Sequence, residues 1–187
     1  MSNQTLNSKF QKYIPLDKSW IMRMGILDLL HGRNDILQFL DEQEYLSDDL
    51  FALKKALEDW LTGDVIDVGE SGTLFRFLQF VSWKYGLNKK FTKHKTLKER
   101  KICSNSEIIN YPLSELLKLD HGTSQWASAA VLCGNTEKIE NPPFKLSLTY
   151  KTVDHWNSKR QASEKWEPKY DKTISVQAEA FLRKFKG

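Results

Sequence analysis

The 187-residue sequence is poor in cysteine, with only Cys103 and Cys133. Two cysteines cannot form the disulfide framework of a small secreted domain, and no CxxC or histidine-rich spacing indicates a metal site. Long apolar runs are also missing, because the longest candidate, residues 74–83, contains Arg76 and Gln79 and is much shorter than a membrane span. The polar first residues lack the apolar segment of a signal peptide, so we expect a cytoplasmic protein with no membrane partner.

The charge excess is small, with 28 basic and 24 acidic residues and a net charge of +4. The basic residues are densest between Lys89 and Lys101, a run that can bind phosphates or simply cover a solvated surface. No zinc-finger spacing and no RNA-binding aromatic motif accompanies it, so we expect no nucleic-acid partner. An apolar content of 40% and an aromatic content of 12% are typical of a globular protein.

Helix and strand signals alternate along the chain. Apolar spacing predicts helices over residues 20–30, 48–60, 73–85, 124–132 and 174–185, the first capped by Ser19 and the second by Ser47. Strands are predicted at 35–40, 65–68, 90–96 and 144–153, and a loop at 135–143. Strand–loop–helix units of about 50 to 60 residues would then recur. We expect an α/β fold of βαβ-like units with mixed sheets around helices, formed by a single domain over 13–187 after a polar tail over 1–12.

Polar loops precede three of the predicted helices, and the first contains Lys18 and Ser19, with Arg23 one turn later. The start of a helix presents free backbone N–H groups and the positive end of the helix dipole, both of which favour anions. An ammonium, a hydroxyl and a guanidinium can together hold two anionic groups. A capped helix with exposed basic residues explains this loop equally well.

In the second loop, Gly69 and Gly72 bracket a turn before Thr73 and Arg76, so that a ligand can approach the backbone closely. This loop is neither a Walker loop nor a dinucleotide fingerprint.

The third loop joins three polar residues, Thr123, Ser124 and Gln125, whose hydroxyl and amide groups suit phosphates and sugar hydroxyls. An ordinary helix cap explains one of these residues but not all three. If the three loops converge on one face, they would bind a phosphorylated metabolite.

Together the loops resemble the enolpyruvyl transferase family, and within it the shikimate-phosphate branch. The matching elements, in the family's order, are Lys18-Ser19 with Arg23, Ser47-Asp48-Asp49, Gly72-Thr73 with Arg76, Leu97-Lys98-Glu99-Arg100, Thr123-Ser124-Gln125, and Tyr170 with Thr173, Phe185 and Gly187. The resemblance implies one domain of the family's inside-out α/β barrel. It also implies transfer of an enolpyruvyl group from phosphoenolpyruvate to a ring hydroxyl of shikimate 3-phosphate, without metal or cofactor, in chorismate and aromatic amino-acid biosynthesis.

Residue roles follow from the same resemblance. Lys18 and Arg100 would be the catalytic residues that contact phosphoenolpyruvate, with Gly72 packed beside it. The residues expected to bind shikimate 3-phosphate are Ser19, Arg23, Thr73, Arg76, Thr123, Ser124, Gln125 and Tyr170.

The sequence also departs from the family. Glu70 puts a carboxylate beside a site for anions, and the segment between Arg100 and Ser124 is short. The sister branch that acts on a nucleotide sugar has Lys-Asn in the first loop and a catalytic cysteine, so Ser19 disfavours it. The match covers only the first of the family's two domains, so we expect a chain that is inactive alone, and a second polypeptide is a candidate source of the missing domain. The alternative is a degenerate, non-catalytic homologue that acts as an anion-binding or scaffold module.

Overall fold

The computed structural model describes residues 15–162 and 169–177. In these ranges the chain is mostly helical. The helices are α1 Lys18–Leu30, α2 Asp35–Asp41, α3 Asp48–Thr62, α4 Gly72–Lys84, α5 Thr96–Glu99, α6 Leu113–Leu116, α7 Gln125–Leu132 and α8 Phe144–Ala162. There are also two short strands, β1 Val65–Asp67 and β2 Lys90–Thr92, two 3-10 turns, Ser106–Asn110 and Leu119–His121, and a short helical segment over 172–177.

The two strands form a parallel pair in which Val65 lies opposite Lys90 and Asp67 lies opposite Thr92. Because α4 connects them, β1, α4 and β2 make one βαβ unit, and this single small unit in a mostly helical structure is compatible with the expected α/β class. Within the described ranges this parallel pair is the only sheet, so the expected mixed sheets are not found there.

Two predicted strands are helices, which removes the expected repeat of strand–loop–helix units. Residues 35–40 belong to α2, where Ile36 and Leu40 are buried four positions apart. Residues 144–153 begin α8, where the buried side chains of Leu146 and Thr149 recur at helical spacing. In both segments several apolar residues follow one another closely enough to mimic alternation, whereas the side chains that reach the core have a period of three to four.

The other predictions are confirmed within a few residues. Helices α1, α3, α4 and α7 and strands β1 and β2 lie where expected, and residues 135–143 are a loop. The N-cap of α1 is Asp17 rather than Ser19, since Asp17 Oδ1 accepts a 3.1 Å hydrogen bond from Trp20 N. A short helical segment covers 172–177, and the rest of the predicted C-terminal helix, 178–185, lies outside the described residues.

Helix α1 lies at the centre of the fold, with every residue from Trp20 to Asp28 buried. It packs against α2, α3 and α8 and also contacts α4 and α7. A Cβ atom at Gly25 would lie 3.3 Å from Ile36 Cγ2 and 3.4 Å from Leu53 Cδ1, so a glycine lets α2 and α3 approach closely. None of the described helices is both long enough and apolar enough to cross a bilayer.

Candidate anion-binding site

The first loop lies at the start of α1, where two polar side chains contact distant parts of the sequence. Lys18 Nζ forms a 2.6 Å ion pair with Asp49 Oδ2 at the start of α3. Ser19 Oγ accepts a 2.8 Å hydrogen bond from Lys145 Nζ in α8. Lys18 is exposed and Ser19 is half-buried, so both side chains are accessible to a ligand.

Arg23, in contrast, points into the protein and is only 1% exposed. Its guanidinium donates to Ser19 O at 2.7 Å, to Thr149 Oγ1 at 2.7 Å and to Lys145 O at 3.2 Å. Burial lowers the pKa of Arg23 to about 10, against the opposing effect of the Asp17 charge. The group is therefore still a cation at neutral pH, and it holds the backbone of Ser19 and Lys145 in place.

Gly72, at the start of α4, packs against two guanidinium groups. A Cβ atom there would lie 2.9 Å from Arg100 Nη1 and 3.0 Å from Arg76 Nη1, so a larger residue would displace at least one of them. Arg100 is exposed and donates to Thr96 Oγ1 at 3.2 Å, which leaves other guanidinium donors for a ligand. The fold thus brings together Gly72 and Arg100, two residues that the resemblance assigns to phosphoenolpyruvate.

Asp49 links the first loop to the glycine loop. Its partial burial would raise the pKa of the carboxyl, but hydrogen bonds from Lys18 and Ser71 and the charges of Lys18 and Arg100 outweigh that effect. The pKa of Asp49 is therefore held below its ordinary value. This carboxylate gathers an ammonium and a guanidinium from different segments at one point of the surface.

Lys145, whose ammonium donates to Ser19 Oγ, adds a further positive charge beside the first loop. Partial burial and the charges of Arg23 and Lys18 lower the pKa of Lys145, while Asp17 opposes them. Cations repel one another, so the grouping of Lys145, Arg23 and Lys18 beside Ser19 makes a region in which an anion is favoured.

Arg76 ties the glycine loop to the third loop through a buried ion pair. Its Nε lies 2.5 Å from Asp120 Oδ2, and each side chain is 7% exposed. Arg76 Nη1 also donates to Gly72 O at 2.9 Å, and Asp120 accepts further hydrogen bonds from Trp126 Nε1 and Cys103 N. With its donors directed at protein acceptors, Arg76 is placed to position both loops.

The backbone that leads into α7 passes through the left-handed region at four residues. These are Asp120, His121, Gly122 and Ser124, with φ values of 49°, 62°, 72° and 55°. Only the glycine adopts that conformation without strain. The hydrogen bonds and the ion pair of Asp120 compensate for this strain and fix the path of the loop into α7.

The third loop meets the glycine loop at a second point, where Gln125 Nε2 donates to Thr73 Oγ1 at 2.7 Å. Gln125 Oε1 and Thr123 Oγ1 are buried, and neither has a hydrogen-bond partner in the described part of the chain. An unsatisfied buried polar group costs about 1 to 3 kcal/mol. A ligand hydroxyl would donate to Gln125 Oε1, and a phosphate oxygen would accept a hydrogen bond from the Thr123 hydroxyl.

The carboxylate of Glu70 is neutralised by a lysine. Lys95 Nζ lies 2.8 Å from Glu70 Oε1, and this hydrogen bond, with the charges of Lys95 and Arg100, lowers the pKa of Glu70. The repulsion expected between Glu70 and an anionic ligand is therefore reduced.

Tyr170 lies beside the chain that enters the first loop and has no described contact with the glycine loop or the third loop. It forms an antiparallel bridge with Leu16 and lines a groove beside Trp20 and Lys169. The structure thus links Lys18, Ser19, Gly72, Thr73, Gln125 and Arg100 through contacts in which Arg23 and Arg76 are buried supports. Thr123 and the buried Ser124 lie beside Gln125 in the chain.

Sequence reasoning missed the partners that hold these residues. The resemblance includes Asp49 in a motif but assigns it no function. Lys145 lies in a segment that the sequence predicts as a strand, and no sequence pattern singles out Asp120. The positions of Lys145 and Ser19 differ by 126, so their contact depends on helix packing that no local pattern encodes.

Over the residues that the structure describes, no three His, Cys, Asp or Glu side chains group as metal ligands. Comparison of the chain with protein-family models, with curated proteins and with solved structures finds no match. The activity implied by the resemblance therefore stays a prediction.

Proposed function

We propose that this chain is the substrate-binding, amino-terminal half of a 3-phosphoshikimate 1-carboxyvinyltransferase in the cytoplasm. The observation that carries the proposal is the contact of Gly72 with Arg100, together with the bond from the adjacent Thr73 to Gln125. Residues from the glycine loop, the third loop and the segment that ends at Arg100, assigned to one active site by their motifs, therefore lie next to one another. The family's inside-out α/β barrel is part of the proposal, and the β1–α4–β2 unit packed near the central α1 supports it.

In this proposal the two ligands occupy different parts of the site. Shikimate 3-phosphate lies between Ser19 and the third loop, where the unsatisfied Thr123 Oγ1 and Gln125 Oε1 meet its polar groups. Phosphoenolpyruvate lies against Gly72, between Lys18 and Arg100. Both ligands are anionic, which fits the cationic groups collected around Asp49.

The enolpyruvyl transfer requires that the two substrates are positioned and that developing charge is stabilised. The oxygen of the ring hydroxyl bonds to C2 of phosphoenolpyruvate and releases its proton, while C3 gains a proton and becomes a methyl group. The tetrahedral intermediate then loses phosphate from C2 and one proton from that methyl group to give the enol ether. Lys18 and Arg100 would stabilise the negative charge on the phosphate and carboxylate oxygens during both steps. In the family an acidic general base comes from the second domain, so the proposal assigns this chain binding and charge stabilisation rather than proton transfer.

A second candidate is a non-catalytic anion-binding module, favoured by the ion pair of Lys18 with Asp49, which commits the first loop's ammonium to a protein carboxylate. This candidate predicts binding of simple anions without preference for shikimate 3-phosphate.

Calorimetric titration with shikimate 3-phosphate distinguishes the two candidate functions. Saturable binding that is stronger than binding of inorganic phosphate, and that Lys18→Met weakens about tenfold, supports the transferase half-site. Lys54→Met is the matched control, because Lys54 forms a similar 2.7 Å pair with Asp41 that involves none of the three loops. Equal affinity for both anions favours the second candidate, and no binding by a folded chain rejects the transferase proposal.

A further inference from the structure

A groove lies between the start of α1, helix α8 and residues 169–175. Its volume of about 730 Å³ is typical of a small-molecule site. Asp17 and Trp20, which flank Lys18 and Ser19 in the chain, line the groove, so it adjoins the first loop. Lys18, Gly72 and Ser124 do not line it, so a ligand held in the groove would contact a different set of residues from the site proposed above.

Backbone hydrogen bonds build one wall of the groove. Asp17 N donates to Lys169 O at 2.9 Å, and Asp171 N donates to Pro15 O at 2.7 Å. Between these bonds, Tyr170 pairs with Leu16 in the antiparallel bridge. The segment is thus fixed against the start of α1.

The lining of the groove is cationic. Lys151, Lys169 and Lys172 line it together with a single carboxylate, Asp17. Three positive charges and one negative charge leave +2 when His155 is neutral, which matches the charge of a phosphate monoester dianion.

Trp20, one of the residues that line the groove, has a buried hydrogen-bond donor without an acceptor among the described residues. Trp20 is 3% exposed, and its Nε1 has no hydrogen-bond partner within the described ranges. An indole N–H can only donate, so an anionic oxygen is the group that would satisfy it. Lys169 Nζ lies 3.2 Å from the centre of the Trp20 ring, so a positive charge already stands beside this donor.

We propose that this groove binds the phosphate group of a small phosphomonoester, which accepts a hydrogen bond from Trp20 Nε1 and is balanced by Lys151, Lys169 and Lys172. The lowered pKa of Lys169, caused by partial burial and opposed by Asp17, agrees with an ammonium that gains from an anionic neighbour. The ligand's organic part would lie along the remainder of the groove, beside Tyr170.

Indole NMR of the ¹⁵N-labelled chain tests the proposal, with glycerol 3-phosphate as the probe. The Trp20 signal is assigned by its loss in Trp20→Phe. We expect a saturable downfield shift of the Trp20 indole proton, absent with sodium chloride at equal ionic strength. Lys169→Met and Lys151→Met should each weaken the binding about tenfold, and Lys54→Met should leave it unchanged.

Four results would overturn the proposal. The Trp20 signal could stay unmoved at millimolar probe, shift equally with sodium chloride, or keep its response in both lysine variants of the groove. Loss of the shift in Lys18→Met would assign the phosphate to the three-loop site instead. Because Lys18→Met is expected to weaken binding only at the three-loop site and Lys169→Met only in the groove, the two proposals fail separately.

Discussion

Gln125, the first residue of α7, donates a 2.7 Å hydrogen bond to the hydroxyl of Thr73 in the first turn of α4. This bond and the buried pair of Arg76 with Asp120 join the same two loops at two points. The glycine loop and the third loop are therefore held as one unit, and a change in either is expected to alter ligand binding at both.

Replacement of Gly72 by alanine is predicted to weaken phosphoenolpyruvate binding. The new Cβ would lie 2.9 Å from Arg100 Nη1 and 3.0 Å from the buried Arg76 Nη1, so Arg100 must move away from the loop. We expect about a tenfold loss of affinity by calorimetry, the equivalent of one displaced charged contact. Gly63→Ala is the control, because its Cβ would lie 3.9 Å from its nearest neighbour, Asp59 O. Equal affinity in both variants would show that Gly72 does not adjoin the ligand.

Replacement of Asp120 by asparagine is predicted to destabilise the protein by about 3 kcal/mol, because it leaves the guanidinium of Arg76 buried without a counter-charge. Asparagine tolerates the left-handed conformation at this position, so the loss reports charge rather than backbone strain. Urea unfolding measures it. Asp64→Asn, which alters an 84% exposed carboxylate, should change stability by no more than about 0.5 kcal/mol. A similarly small change in Asp120→Asn would contradict the role given to this pair.

The sequence predicts part of this arrangement well, for physical reasons. Lys18, Gly72, Thr73 and Gln125 lie at helix starts, and short motifs locate helix starts because caps and glycines act over three or four residues. The contacts of Asp120 and Lys145 come from packing between distant segments, which local patterns do not encode. The sequence predicts a strand over residues 144–153, which begin α8, for a related reason. The side chains that α8 buries can be identified only when α1 is packed against it.

Replacement of Arg23 by lysine is predicted to cost about 3 kcal/mol, although the charge is kept. A lysine ammonium cannot reach Ser19 O, Thr149 Oγ1 and Lys145 O in the fork geometry that the guanidinium uses. Thermal or urea unfolding measures the loss. Arg33→Lys, at an exposed arginine paired with Asp35, should be neutral within about 0.5 kcal/mol. If the two substitutions cost the same, the buried guanidinium is not needed for the fold.

Asp49 is predicted to make stability depend on pH. The pKa of its carboxyl is lower in the folded protein than the ordinary 3.8, so its contribution is present above pH 3.8 and is lost as the pH falls through the folded value. Both members of the Lys18–Asp49 pair are partly exposed, so solvent screening limits the contribution to about 0.5 kcal/mol. Asp49→Asn should therefore be slightly less stable than the wild type at pH 7, and the difference should vanish in acid. A difference that persists in acid would show that the side chain acts by packing instead.

Amide NMR of the labelled chain with shikimate 3-phosphate tests most directly whether the three loops form a single site. The measurement follows the backbone N–H signals of Ser19, Thr73 and Gln125, one in each loop, as the ligand is added. The account predicts that all three shift together with one dissociation constant, and that Ser124→Ala weakens the response in all three loops. Shifts confined to one loop, or different dissociation constants for the three, would contradict the single site.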